Sequence, residues 1–461
     1  MQLKLNVRRT YFIGFAFFAV LMLWQVYMHY APLYMEWMLL NRLGEDASVS
    51  WIVNTIMAID NIFAIFLVAV FGWLSDRTKS RFGRRMPWIF FGGLVSLLLF
   101  PLIAVMFLFN SFIWFVIIVA LMKLAMVAWR SPAVAIMPDI TPKPLRAKAN
   151  AIINFVGYIG AILGAVLAFV PAFRFSSHPD YLAYSQPLSI IPFILTAVVM
   201  LGILLILFFR FKENKVVEEM AEEMKMGEEY SETIEKVEEG KPLSKRDKKN
   251  MWILMAAIFM CWFAFNSLQT NWSRYGINVL GNGVDYGVSM APALLAVASL
   301  IAFLPSIRLT KKIGRKKTVL IGLGIIIVSL TAAMFIDSFG ILMLAIFAIS
   351  GVGWAIVNVC TFPMLVEMAS PKNVGKIIGI YYVASQSAQA LSSVISGFVL
   401  DWVGWRWTFF PYAIIFMSIA FILCFFFKTN ESRAKELQQS TPIEDVIATG
   451  EEQNTEQEKI I

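Results

Sequence analysis

Charge is scarce in this chain. Asp, Glu, Lys and Arg make up only 15% of its 461 residues, against about 25% in an ordinary soluble protein, which excludes a typical soluble enzyme. Cysteine is scarcer still. Cys261, Cys360 and Cys424 lie far apart inside apolar runs, so neither a disulfide framework nor a zinc site has the spacing it needs. Histidine is limited to His29 and His178, too little material for a histidine proton relay. The sequence offers no phosphate-cradling glycine loop, no cluster of metal ligands and no Ser/His/Asp set at membrane depth, which argues against a membrane-embedded enzyme. No cofactor and no metal is expected.

Hydrocarbon is abundant instead: 59% of the residues are hydrophobic. They gather into runs of about 20, the length that crosses a core of about 30 Å at about 1.5 Å per residue. Spans are expected near 10–31, 49–73, 87–109, 112–137, 151–172 and 188–210, and again near 250–270, 289–309, 318–336, 341–366, 377–400 and 408–428. The first stretch follows basic residues as a signal peptide does, but it is too long and has no small-residue cleavage site, so it stays as a span. The fold class expected is therefore an all-α membrane protein with twelve transmembrane helices in two six-helix bundles. Residues 1–210 form one bundle, 211–249 a charged cytoplasmic linker, 250–428 the second bundle and 429–461 a polar, acidic cytoplasmic tail.

The net charge of +8 would suggest nucleic acid on a soluble chain. Here the basic residues are confined to short segments between apolar runs and read as membrane anchors, which removes that reading. With both termini inside, only Arg42, Arg174, Arg274 and Arg406 fall in outer segments and only Lys123 and Arg130 within a span; the rest of the 39 basic residues are cytoplasmic. The positive-inside rule then fixes the orientation; a cell membrane and a monomeric state are expected.

The halves repeat at an offset of about 230 residues. RFGRRMPW after span two corresponds to KIGRKKTV after span eight. PDITPKPLRAKANAIINFVGYIGAILG corresponds to VEMASPKNVGKIIGIYYVASQSAQALS, which places Asp139 opposite Glu367 and Lys148 opposite Lys376. Duplicated six-span halves with a site between them near the midplane are the architecture of a secondary transporter.

The stretch Gly72-Trp73-Leu74-Ser75-Asp76-Arg77, continued by TKSRFGRR, resembles the loop signature of the major facilitator superfamily. Its longer SDRTKSRFGRR form, with MPDITPKPLRAKAN, is similar to the branch of sucrose/maltose carriers and the neighbouring glycoside–pentoside–hexuronide:cation symporters. The resemblance implies a cytoplasmic gate built from Asp76, Arg77, Arg84, Arg85, Asp139 and Glu367; on physical grounds a compact loop joining two spans also brings Arg84 and Arg85 close to lipid phosphates. The alternative is a loop that only sets topology.

Charges inside the spans carry the functional argument. Asp60 in span two and Lys123 in span four both lie about 20 Å from the cytoplasmic ends of their helices. An isolated charge at that depth costs at least about 2.5 to 3.5 kcal/mol, so the two are expected to face each other or share a wet cavity as the ion-coupling pair. Arg130 follows Lys123 by seven positions and returns to nearly the same face. The competing reading is a fixed ion network that merely holds the first half together. Plant-type sucrose carriers have an acidic residue and an arginine in span four, and melibiose-type symporters have paired aspartates in span two. This chain has Lys123 with Arg130 and a single Asp60, which suits H⁺, although Asn54, Thr55 or Asn61 could supplement a Na⁺ site.

Polar and aromatic side chains complete the expected substrate site: Trp24 and Gln25 in span one, Asn61 in span two, Arg130, Asn154 and Tyr158, Asn266 and Gln269, Trp354 and Asn358, and Tyr382, Gln386 and Gln389 in span eleven. Tyr382, Ser385, Gln386 and Gln389 share one helical face. Amides pair with vicinal hydroxyls and an indole face suits a sugar ring, while interhelical glue is the plainer role for any one amide. Gly157, Gly160 and Gly164 are read as close-packing residues. The function expected is sugar or glycoside:proton symport by alternating access. The alternatives are transport of an anionic sugar derivative or other organic anion, sodium-coupled or outward, and a non-transporting membrane sugar sensor. The partners expected are a small solute, H⁺ or Na⁺, and the lipid bilayer.

Overall fold

The computed structural model describes residues 5–44, 46–175, 190–238, 245–280, 288–368 and 374–427. The described chain is all helical. Helices α1 (Val7–Leu43), α2 (Ser50–Arg77), α3 (Gly93–Leu108), α4 (Phe112–Asp139), α5 (Arg146–Phe175) and α6 (Ile191–Arg210) come first. The linker helix α7 (Glu213–Glu238) follows, and then α8 (Lys245–Leu280), α9 (Met290–Ile313), α10 (Arg315–Met334), α11 (Ile341–Glu367), α12 (Val374–Val403) and α13 (Trp405–Phe426). Among the described residues, eleven helical segments are long and apolar enough to cross a membrane. Of the twelve expected spans, the one left out is α12, whose Tyr, Ser and Gln face lowers its hydropathy although its 30 residues give ample length.

Two large apolar cores, with a small third cluster around Phe263, Ala388 and Tyr412 in the second half, account for the architecture. One is built from residues between Ile13 and Phe211, with Tyr34 stacked on Phe107 at 3.9 Å and packed against Phe193. The other is built from residues between Leu254 and Phe427, around Trp272, Tyr275 and Phe409. Within the first, α5 packs along α1 so closely that a Cβ on Gly160 would overlap the Phe18 carbonyl oxygen, and one on Gly164 would lie 2.5 Å from that of Met22. Small residues here let two backbones meet, as membrane helices often require.

The sequence repeat reappears in backbone geometry. Gly83 (φ +110°) and Gly314 (φ +84°) occupy matching places ahead of α3 and α10, in a conformation that glycine adopts without a side-chain clash. Their surroundings differ. Gly83 is covered by the Glu213 side chain, whereas nothing among the described residues approaches the Cβ position of Gly314 within 4 Å.

Several helices outrun their expected spans. α1 continues to Leu43 and α8 to Leu280, beyond the ends at 31 and 270 read from the sequence. Arg274, expected in an outer segment, lies within the extended α8 and is fully buried. Across the halves, α2 packs on α12, α5 on α9 and α1 on α8.

Candidate functional site

Lys123 is the best-defined member of the expected ion-coupling pair. Buried on α4, its Nζ sits 3.9 Å from the centre of the Trp24 ring and 3.7 Å from that of Tyr27, both on α1. Two ring faces present their negative π clouds to one ammonium, a contact worth about 2 kcal/mol or more where water is excluded. The Tyr27 hydroxyl donates in turn to Met57 Sδ on α2 at 3.2 Å, so α1, α2 and α4 converge on this point. The Asp60 side chain lies outside the described residues, and the expected Asp60–Lys123 pairing with it.

Arg130, two turns along α4, is half-buried. Tyr382 is 56% exposed, so the surface it presents is not sealed by packing.

The remaining expected substrate residues divide by whether their polar atoms are already used. Asn266 is buried, and its amide oxygen accepts from Ser393 Oγ at 2.7 Å, joining α8 to α12. Asn358 donates to the Trp354 carbonyl of its own helix at 2.9 Å. Trp354 stacks on Phe265 at 4.0 Å and meets Trp262 edge-on, which makes it part of the second core. Asn61 is buried on α2. Gln25, Asn154, Tyr158, Gln269, Gln386 and Gln389 are half-buried.

At the end of the bundle that carries the N-terminus, the expected gate residues cluster inside the first half. Arg85 is 4% exposed and ion-pairs with Asp76, and with Asp139 at 2.9 Å. It also donates to the Gly72 carbonyl at 3.2 Å. Arg84 pairs with Asp139 at 2.8 Å, and Arg77 lies over the Trp73 ring at 3.9 Å. The expectation that Arg85 meets lipid phosphates is thus corrected, because two carboxylates already hold it away from the bilayer. The Glu367 side chain lies outside the described residues.

A residue the sequence did not single out completes this cluster. Glu213, the first residue of the linker helix, accepts backbone N–H bonds from Arg84, Arg85 and Met86 at 2.8 to 3.0 Å. Burial pushes its carboxyl above the usual range, and the three N–H donors oppose that shift. Asn214 Nδ2 donates to the Ser80 and Arg81 carbonyls, and Arg9 pairs with Glu219 at 2.7 Å. The linker is therefore strapped to the first half.

The far end carries a second network that sequence reasoning missed, and this one joins the halves. Arg274 on α8 donates from Nε to Glu36 on α1 at 2.9 Å, from Nη1 to Asn54 Oδ1 at 2.9 Å and from Nη2 to Ser50 Oγ at 2.8 Å. Asn278 adds a bond to Glu36, Asn54 donates to Ser396, and the Trp405 ring lies 4.7 Å from the guanidinium. Asp401, near the end of α12, accepts from Ser50 N at 3.0 Å and Trp51 N at 2.8 Å. It supplies across the interface the side-chain cap that α2 lacks from its own N-cap residue, Val49. A Cβ on Gly397 would lie 2.8 Å from Trp51 Cα, so α12 and α2 touch backbone to backbone. The available signal was Glu36 and Arg274 in apolar sequence just past the assumed span ends.

Two helical halves, braced to each other around Arg274, are the setting for the comparison with known proteins. Residues 12–407 match the family described as MFS/sugar transport protein. The chain belongs to that family. It is thus an MFS-type membrane transporter and a multi-pass protein whose partners are a small-molecule solute and the membrane. In structure it is similar to a bacterial homologue of the human drug peptide transporters PepT1 and PepT2, with TM-score 0.62 and 13% identity over 90% of this chain and 97% of the other. A bacterial homologue of the human lysosomal transporter Spinster, in an inward-facing and occupied conformation, gives TM-score 0.62 and 13% identity, covering 92% and 97%. At that identity the likeness speaks for the fold alone. No curated protein matches the chain in sequence.

Proposed function

We propose that this transporter moves a sugar or glycoside together with a proton by alternating access, as a monomer in the cell membrane with both termini cytoplasmic. The observation that carries the reading is the asymmetry of the interface between halves. Among the described residues, the bonds that join them gather around Arg274, Glu36 and Asp401 at the far end, while the cluster around Arg85 at the opposite end stays within one half. Such a molecule is closed on one side, and exchanging that closure for another is what carries a solute across. In this reading the far end is the outer side.

The substrate assignment rests on the aromatic and amide groups between the halves, and on the sugar-transport family to which the chain belongs. Trp24, Gln25, Asn154, Tyr158, Gln269, Tyr382, Gln386 and Gln389 would bind hydroxyls and ring C–H faces, and Asp60 with Lys123 would couple the ion. A second reading, an anionic sugar derivative as cargo, is favoured by Lys123 and Arg130 on one face of α4. The test is uptake of labelled neutral and anionic glycosides into proteoliposomes under separately imposed H⁺ and Na⁺ gradients. Proton-driven uptake of a neutral glycoside that is lost in Asp60→Asn supports the first reading. Uptake confined to anionic glycosides supports the second, and binding without counterflow in either case would make the chain a sensor.

A further inference from the structure

A groove of about 670 Å³ runs along the outside of the first half between α3 and α4. Its walls are apolar: Phe91, Val95 and Leu99 on one side, Leu121, Leu124 and Ala128 on the other. Phe91 is 57% exposed and Leu124 41%, so the groove opens to hydrocarbon. From Pro87 to Leu99 it extends about 18 Å at 1.5 Å per residue, close to the roughly 15 Å of one leaflet. A π-helical turn at Trp88–Gly92 shapes one wall near the mouth.

The mouth of the groove has a different chemistry. Thr78, just past the end of α2, lines it, and its Oγ1 accepts from Trp88 Nε1 at 2.8 Å. Arg77 and Lys79 flank Thr78 in sequence and are both exposed. Asp76, the nearest acid in sequence, is engaged with Arg85. Trp73 and Trp88 supply the indoles that collect at the headgroup level of membranes. A leaflet-long apolar trough whose end residue, Thr78, has an exposed cation on either side in sequence, Arg77 resting over the Trp73 ring, matches a negatively charged lipid better than a zwitterionic one.

We propose that this groove holds an acyl chain of an anionic phospholipid whose phosphate lies between Arg77 and Lys79. Each basic side chain near an anionic headgroup contributes about 1 kcal/mol, or about fivefold in affinity. Native mass spectrometry of the full chain in detergent, titrated with phosphatidylglycerol or phosphatidylcholine, reads the site. The wild type is expected to retain one phosphatidylglycerol at lower lipid concentration than phosphatidylcholine. Lys79→Gln and Arg77→Gln should each reduce that preference about fivefold, and Leu124→Trp, which fills the trough from an exposed position, should reduce retention of both lipids. Equal retention of the two lipids by the wild type overturns the proposal. So does phosphatidylglycerol retention that Leu124→Trp leaves unchanged in a variant whose thermal transition matches the wild type.

Discussion

The two ends of the bundle use the same chemistry for opposite purposes. At each, one buried arginine is held by carboxylates: Arg274 by Glu36 at the far end, Arg85 by Asp76 and Asp139 at the N-terminal end. The far pair connects α8 to α1 and so crosses between halves, whereas the near cluster connects the α2–α3 loop to α4 and is reinforced by the linker through Glu213. A buried ion pair contributes little net stability once desolvation is counted, but removing one partner strands a charge. Such pairs therefore act as brackets between particular elements. Which elements they bracket decides whether the structure can open there or only loosen.

The largest effect is expected from Arg274→Ala, which leaves Glu36 buried without its cation at a cost of about 3–5 kcal/mol. Thermal unfolding should fall, and a Val53→Cys thiol near the brace should react faster with a membrane-impermeant maleimide. Adding Glu36→Leu should restore much of the thermal stability while labelling stays fast; equal stability of the single and double variants would deny the pair its role. Gly397→Leu should come next, at about 1–3 kcal/mol of overpacking. The new side chain has no room between α12 and α2, so labelling should rise with helix content by circular dichroism unchanged.

Glu213→Gln sharpens the contrast from the other end. It removes the charge from three backbone hydrogen bonds, worth about 2 kcal/mol, and should speed proteolysis of the linker helix while leaving Val53→Cys labelling as it was. Faster labelling there would mean that the ends are coupled through the first half. Asp401→Asn weakens a cap supplied from the opposite half and should cost about 1 kcal/mol, read as a modest rise in labelling. Arg9→Gln breaks a partly exposed pair with Glu219 and is expected to shift thermal unfolding by less than about 1 kcal/mol.

Much of the fold was legible because a bilayer leaves few choices. Apolar runs of about 20 residues must be helices to satisfy their own backbone polar groups, and Gly160 and Gly164 read as packing residues because a stripe of small side chains admits a second backbone. The near cluster was partly legible for a local reason: Arg84 and Arg85 sit in one loop signature with Asp76. Their partners were not all local, and Arg85 proved to be enclosed by Asp139 instead of facing lipid. Polar residues on the inner faces were harder to sort. Asn266 and Asn358 have the same amide chemistry as Gln386, yet both spend hydrogen bonds on protein neighbours.

Composition and periodicity alone determined that this chain is a helical membrane protein of two related halves, since length and hydrophobicity are properties of each segment by itself. Only the tertiary structure decided that Glu36 meets Arg274, that Asp401 caps a helix of the other half, and that Glu213 binds the linker to the first. Those contacts join residues up to 351 positions apart. Their energies depend on distance, burial and helix ends, none of which a one-dimensional pattern records.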